Sequence, residues 1–141
     1  MRKFISCYIL IFFSVSLHAQ DLSKHQWKDR LILIIASKNN QKFQQQYKEL
    51  QKEPEGLKER KLVIYQILPE KYKTGFKEKN WKKSTELFEA YNGKKSDFRV
   101  LLIGLDGGKK LDQTKMLSAK KLFNIIDSMP MRQAEIQKNE Q

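Results

Sequence analysis

Glycine, proline and cysteine are all scarce in this sequence. Its 141 residues include six Gly, three Pro and one Cys. So few Gly and Pro exclude a collagen-like or low-complexity chain, and a single Cys excludes an intramolecular disulfide and a CxxC redox motif. A chain of this length has room for one core. We therefore expect a single globular domain held together by apolar packing.

The first twenty positions have the pattern of a signal peptide. Arg2 and Lys3 precede a nearly continuous apolar run over residues 4–17, and Ala19 supplies the small residue that signal peptidase needs. The run is shorter than the roughly 20 apolar residues of a membrane span and is interrupted by serines. We expect a periplasmic or secreted protein, with a signal peptide over residues 1–19, a domain over residues 20–135 and a polar C-terminal tail over residues 136–141.

Cleavage after Ala19 would remove the only thiol, Cys7, and leave His25 as the only imidazole. Thiolate nucleophiles, HExxH sites and histidine clusters would then be excluded. A serine nucleophile would depend on His25, which has no recognisable residue to orient it. We therefore expect no catalytic residue, no metal and no cofactor. The net charge of +12 instead favours anionic partners.

Three β-branched-rich segments predict buried strands, at residues 30–36, 61–68 and 98–104. Two such strands joined by a helix form a right-handed βαβ unit with a parallel pair. Asp106-Gly107-Gly108 predicts a type I′ hairpin that leads to a short fourth strand. Residues 70–83 form a Lys-rich stretch between the second strand and the helix that follows.

Apolar residues at helical spacing predict three helices. The first covers residues 40–52 and stops near Pro54 and Gly56, the second lies near residues 81–91, and the third begins near Ser118. The resulting order, β-α-β-α-β-β-α, is that of the thioredoxin core. A four-stranded α+β sandwich with another strand order is the alternative.

Three segments resemble the domain-of-unknown-function 4174 family: residues 27–34 (WKDRLILI), 99–108 (RVLLIGLDGG) and 126–135 (IDSMPMRQAE). That family occurs in exported bacterial proteins and as repeats in animal matrix proteins of the sushi-repeat and down-regulated-by-oncogenes type. The resemblance implies a thioredoxin-like fold, an extracytoplasmic setting and no established enzymatic activity. The chain departs from the family pattern LIGKDG at Leu105.

The residues of these segments are interpreted mainly as structural. Arg132 and Glu135 are three positions apart and can pair with each other, or attach the C-terminus to the domain through Arg30 or Asp127. The family-signature residues are Trp27, Arg30, Asp106, Gly107, Asp127, Met129, Pro130, Met131, Arg132 and Glu135.

The turn from the first strand into the first helix is one candidate site. Thioredoxin-like enzymes carry their reactive cysteine there, because a helix N-terminus stabilises a thiolate. Here the turn contains Ser37, Lys38, Asn39 and Asn40. These residues either hold a small anion or only cap the helix.

The Lys-rich stretch is the second candidate site. Its lysines alternate with Tyr72, Phe76 and Trp81, a mixture suited to phosphates and stacked bases. Export argues against nucleic acid and favours anionic lipid headgroups, lipopolysaccharide or acidic glycans. The alternative is a solvated loop whose aromatic side chains point inward. The candidate basic residues are Lys71, Lys73, Lys77, Lys79, Lys82 and Lys83.

Two functions of different class follow. The first is an exported, non-redox binding or interaction module with a basic surface, whose partner is an anionic envelope surface or another exported protein. The second is an enzyme related to the thioredoxin superfamily, such as a degenerate oxidoreductase or a peroxiredoxin-like protein, that uses non-cysteine residues around Ser37 and Asn40.

Overall fold

A mixed six-stranded sheet forms the centre of the fold. The computed structural model describes residues 22–93 and 95–141, so the predicted signal peptide lies outside the described residues. The order across the sheet is β4-β3-β2-β1-β5-β6. β1 and β2 are parallel and the other pairs are antiparallel. The strands are β1 (Arg30–Ala36), β2 (Leu62–Leu68), β3 (Lys71–Thr74), β4 (Lys82–Lys83), β5 (Phe98–Ile103) and β6 (Lys109–Gln113).

Five α-helices cover the sheet, and a short 3-10 helix at Leu22–His25 precedes β1. Within the described part of the chain, none of the helices has the length and apolarity needed to cross a membrane. The helices are α1 (Gln41–Gln51), α2 (Pro54–Glu59), α3 (Glu86–Tyr91), α4 (Ala119–Asp127) and α5 (Pro130–Asn139).

Both faces of the central strands β1, β2 and β5 are buried. Because successive strand residues point to opposite faces, β1 contributes Ile32 and Ile34 to one core and Leu33 to the other. The first core packs against α1, α2 and α4, whereas the second packs against α3. The predicted α/β class is confirmed, and the arrangement is consistent with a thioredoxin-like fold. Its parallel β1–β2 pair is connected through α1 and α2, as a βαβ unit requires.

Two prolines begin helices. Pro54 was expected to follow the end of the first helix, and it also starts α2, because the first turn of a helix leaves its N–H groups unpaired in any case. Pro130 starts α5 in the same way, and this helix continues through most of the polar residues 136–141 to Asn139.

Residues 71–83 contain strands that were not predicted, and the alternative of a solvated loop is wrong for them. They contain β3 and β4, and α3 begins only at Glu86 rather than near Trp81. Strand geometry turns Tyr72 into the second core while its neighbours Lys71 and Lys73 face the other way. The sequence does not indicate β3, because only one of its four residues, Tyr72, is buried and two of the others are lysines.

The turn between β5 and β6 is also corrected. A type I′ turn requires positive φ at both central residues, but within residues 104–108 only Gly107 has one, at 81°. The Gly107 N–H donates to Gly104 O at 3.0 Å, and the Gly104 N–H donates to Gly108 O at 2.8 Å. The hairpin is thus present with a type I turn over residues 104–107 that ends in a left-handed glycine. A register shift between Leu102 and Ile103 accommodates the extra residue.

Candidate functional site

The start of α1 has the contacts of an ordinary helix cap. Asn40 Oδ1 accepts a hydrogen bond from the Phe43 N–H at 2.9 Å, and Asn39 Oδ1 accepts one from Gln44 at 3.2 Å. The Ser37 hydroxyl donates to Asp97 Oδ1 at 3.2 Å. Lys38 is exposed. An anion here would meet the carboxylate of Asp97, and anion binding by these four residues stays a prediction.

Arg30 is the centre of a buried network of charges. Its side chain is 1% exposed and extends from the first residue of β1. The guanidinium donates to both carboxylate oxygens of Glu135, at 3.2 and 3.3 Å, and to the Arg60 carbonyl at 2.9 Å. These bonds connect the sheet to α5 and to the end of α2.

Arg132 extends the same network to α4. It is 2% exposed and donates to Glu59 Oε1 at 2.8 Å, to Asp127 Oδ1 at 3.2 Å and to Glu135 Oε2 at 3.4 Å. Arg60 binds Asp127 with two further bonds, at 2.9 and 2.7 Å. Hydrogen bonding to Arg60, and then to Arg132, lowers the pKa of Asp127 against the opposing effect of burial. The pairs that the sequence suggested are therefore all present: Arg132 with Glu135, Arg30 with Glu135, and Arg132 with Asp127.

Four of the remaining signature residues line a cavity of about 370 Å³: Asp106, Met129, Pro130 and Met131. Its walls come from the β5–β6 turn and from the junction of α4 and α5. Trp27 is 64% exposed, and its backbone N–H donates to the carbonyl of Leu105, one of the lining residues. The lining residues are Arg30, Gly104, Leu105, Asp106, Lys110, Met129, Pro130 and Met131.

Residues 71–83, which we call the lysine hairpin, form one edge of the sheet. Lys71 and Lys73 place their ammonium groups 5.0 and 5.2 Å from the centre of the Trp81 ring. Lys82 lies on the opposite face, where it pairs with Glu78 at 2.9 Å and lies over Tyr72. The six lysines are thus divided between the two faces of the edge and the connection between its strands.

Most of this positive charge has no carboxylate partner. The lysine hairpin contains six lysines and one acidic residue, Glu78, which pairs with Lys82. Among the residues that the structure describes, no ion pair involves the other five: Lys71, Lys73, Lys77, Lys79 and Lys83.

The aromatic side chains of the lysine hairpin point inward. Tyr72 is buried in the second core, and Phe76 and Trp81 pack against the first. Trp81 stacks with Phe43 of α1 at a centroid distance of 6.5 Å, and Phe76 contacts Tyr47 at 5.5 Å. These rings hold the lysine hairpin against the domain and are not arranged as a platform for bases.

His25 has two partners, which corrects the expectation that no residue orients it. Its Nδ1 lies 2.7 Å from Asp29 Oδ2, and its Nε2 lies 2.7 Å from the Tyr65 hydroxyl. Burial raises the pKa of Tyr65. The i,i+4 spacing to Asp29 was readable in the sequence, whereas Tyr65 lies 40 positions away.

His25 is not placed to activate Ser37. Asp29 and Ser37 flank opposite ends of β1, which spans roughly 20 Å at about 3.3 Å per residue. A general base must lie within hydrogen-bond reach of its nucleophile.

Within residues 22–93 and 95–141, no three His, Cys, Asp or Glu side chains are grouped so as to hold a metal ion.

Comparison with known proteins identifies one family. The model of the family described as a domain of unknown function (DUF4174) matches residues 21–135 of the chain. No curated protein matches the chain. No solved structure matches it either.

Proposed function

Since the chain belongs to the DUF4174 family, whose description names no activity, we propose a function from its own surface. The protein is an exported, non-redox binding module whose lysine hairpin binds the anionic surface of a lipid membrane. The export step rests on the charged start, apolar run and Ala19 of residues 1–19.

The observation that carries this proposal is the unpaired charge of the lysine hairpin. Lysine on an edge strand also prevents edge-to-edge pairing of sheets, and this explains Lys82 and Lys83. It does not explain Lys77 and Lys79, which lie in the connection between β3 and β4. Clusters of four to eight cations near a surface attract anionic lipids, at about 1 kcal/mol for each lysine.

The packing of the rings favours lipid headgroups over single-stranded nucleic acid. Nucleic acid binding of this kind relies on aromatic rings that are free to stack with bases. Here Trp81 already contacts Phe43 and two ammonium groups. A headgroup surface requires only exposed cations, and Lys77, Lys79 and Lys83 are exposed.

Vesicle co-sedimentation tests the proposal. Phosphatidylcholine vesicles that contain phosphatidylglycerol should bind the purified domain, and pure phosphatidylcholine vesicles should not. The Lys77→Glu/Lys79→Glu/Lys83→Glu variant should bind at least about 100-fold more weakly, since three contributions of about 1 kcal/mol are reversed. Raising NaCl from about 0.1 M to about 1 M should have a similar effect, because the Debye length falls from about 10 Å to about 3 Å.

A matched variant controls for net charge. Lys48→Glu/Lys121→Glu/Lys138→Glu changes three exposed lysines elsewhere by the same total charge and should retain most of the binding. Equal losses in the two variants, or no binding of the wild type at low salt, would reject the lysine hairpin as the site. Displacement by inorganic phosphate at constant ionic strength would show that single phosphates, rather than a membrane surface, are bound.

A further inference from the structure

The cavity beside the β5–β6 turn is large enough for one bulky side chain. Its volume of about 370 Å³ lies within the range of pockets that hold ligands. Leu105 and the segment Met129-Pro130-Met131 supply apolar walls. Methionine adapts its shape to different apolar groups and is common at binding surfaces for that reason. The cavity lies toward the β5–β6 side of the sheet, whereas the lysine hairpin forms the opposite edge.

The charged groups that line this cavity are already paired. Lys110 Nζ lies 2.9 Å from Asp106 Oδ2, and the Arg30 guanidinium is bonded to Glu135 and to the Arg60 carbonyl. A charged group that entered the cavity would lose its hydration without gaining a free partner. An uncharged, apolar group therefore fits this cavity better than a charged one.

Two exposed apolar residues belong to the cavity or adjoin it: Met131 is part of its lining, and the Trp27 backbone is bonded to the lining residue Leu105. Met131 is 42% exposed and Trp27 is 64% exposed. Trp27 has φ of 66°, in the left-handed region that bulky residues rarely occupy. Its backbone is held there by the bond to the Leu105 carbonyl and by bonds from Lys28 and Asp29 to the His25 carbonyl. Exposed Trp and Met are typical of surfaces that bind proteins.

The charge around this surface selects among protein partners. Lys28 follows Trp27 directly, is exposed, and has no ion pair with any residue that the structure describes. The net charge of +12, or +10 without Arg2 and Lys3, opposes association of two copies of the chain and attracts an acidic partner. We propose that the cavity docks a segment of another protein in which one large apolar side chain is flanked by acidic residues, with Trp27 and Met131 covering that side chain.

Synthetic peptides of this composition test the proposal. A peptide with a central Leu or Phe between Glu residues should bind to the purified domain and shift the indole N–H signal of Trp27, but not that of Trp81, in a ¹⁵N correlation spectrum. The same peptide with Lys in place of Glu should bind at least tenfold more weakly. A central Ser should abolish binding.

Two methionine variants provide a matched comparison. Met131→Lys adds a cation that attracts the acidic peptide but removes the apolar contact, so at least a tenfold loss of affinity would assign the contact to the cavity. Met116→Lys is the control. Met116 is 37% exposed and does not line the cavity, so the same added charge there should not weaken binding of the peptide. Trp27→Ala should weaken binding as Met131→Lys does, with an unchanged unfolding midpoint as evidence that the fold is intact.

Several results would overturn the proposal. Absence of binding by every peptide would exclude this class of partner. Binding of N-acetyl-leucine amide as tight as that of the Glu-flanked peptide would assign the cavity to a small apolar ligand. Concentration-dependent dimers that Trp27→Ala abolishes would assign it to a second copy of the chain.

Discussion

Two groups of charge in this protein are built differently: the arginine network of Arg30, Arg60 and Arg132, and the lysine hairpin. In the arginine network each guanidinium is buried or nearly so and bonded to carboxylates from other elements. In the lysine hairpin the ammonium groups are largely exposed, and five of the six have no carboxylate partner among the described residues. Arginine presents a planar fork that matches a carboxylate, whereas lysine carries a strongly hydrated point charge. The placement of the two residue types therefore separates charge that stabilises the fold from charge that is available to a partner.

Because of this difference, we expect mutations in the two groups to affect different properties of the protein, its stability or its binding. Removal of one partner from a buried, paired set leaves desolvated groups unsatisfied and reduces stability. Removal of an exposed lysine leaves only solvent behind it. Mutations in the arginine network should change unfolding, and mutations in the lysine hairpin should change binding.

The sharpest contrast is expected between Arg30→Met and Lys83→Met. Arg30→Met leaves the Arg60 carbonyl without its donor and removes two bonds from Glu135. It should cost about 3 kcal/mol, the lower end for a broken buried pair, because Glu135 keeps its contact with Arg132. Lys83→Met should change stability by less than about 0.5 kcal/mol. Urea unfolding measures both, and a difference below about 1 kcal/mol between the variants would remove the contrast.

Within the lysine hairpin, Trp81 should behave like a core residue. Trp81→Ala removes the contact with Phe43 and should cost about 2 kcal/mol, less than a fully buried ring because Trp81 is only partly covered. Lys79→Ala, two positions away, should leave the unfolding midpoint unchanged and serves as the control. If both variants unfold at the wild-type midpoint, the rings do not anchor the lysine hairpin.

The pH dependence of Asp127 tests whether the arginine network acts through charge. Its pKa is lowered in the folded protein, so its contribution to stability is present above the unfolded value of about 3.9 and is lost as pH falls through the folded value. Asp127→Asn should therefore cost about 1.5 kcal/mol at pH 7 and progressively less below about pH 4. Urea unfolding of both proteins between pH 7 and pH 3 measures this difference. A difference that stays constant with pH would assign the effect to packing.

The smallest expected effect comes from repulsion within the lysine hairpin. Raising NaCl from about 0.1 M to about 1 M should screen that repulsion and stabilise the wild type by a few tenths of a kcal/mol more than the Lys77→Gln/Lys79→Gln variant. Paired thermal melts at each salt concentration provide the measurement. An identical response of both proteins would mean that these ammonium groups do not interact.

The sequence predicts the parts of this fold that depend on local pattern. The strands β1, β2 and β5 consist mainly of apolar residues, and the caps at Asn40 and Ser118 precede helices with an apolar stripe. The strand β4 could not be predicted in the same way, because Lys82 and Lys83 have no preference for strands and pair only because β3 lies beside them. The turn type depended on a register shift in the β5–β6 pair, which has no signal in a single sequence.

In the candidate site, too, some residues could be identified from the sequence and others only from tertiary contacts. Arg30, Asp127, Arg132 and Glu135 were found through the family signature, but Glu59 and Arg60 lie outside it and join them only because α2 ends beside β1. The cavity likewise unites two segments about 25 residues apart, Leu105 and Met129-Pro130-Met131.

The pairing of β1 also constrains when the chain can fold. One edge of β1 binds β2, but the other binds β5, in the register Leu31 with Ile103. Until residue 103 is available, the central strand of the sheet has one unpaired edge and neither core is closed, because long-range pairs form only after the intervening chain is in place. A chain that ends before residue 98 therefore lacks β5 and the pairing that closes both cores.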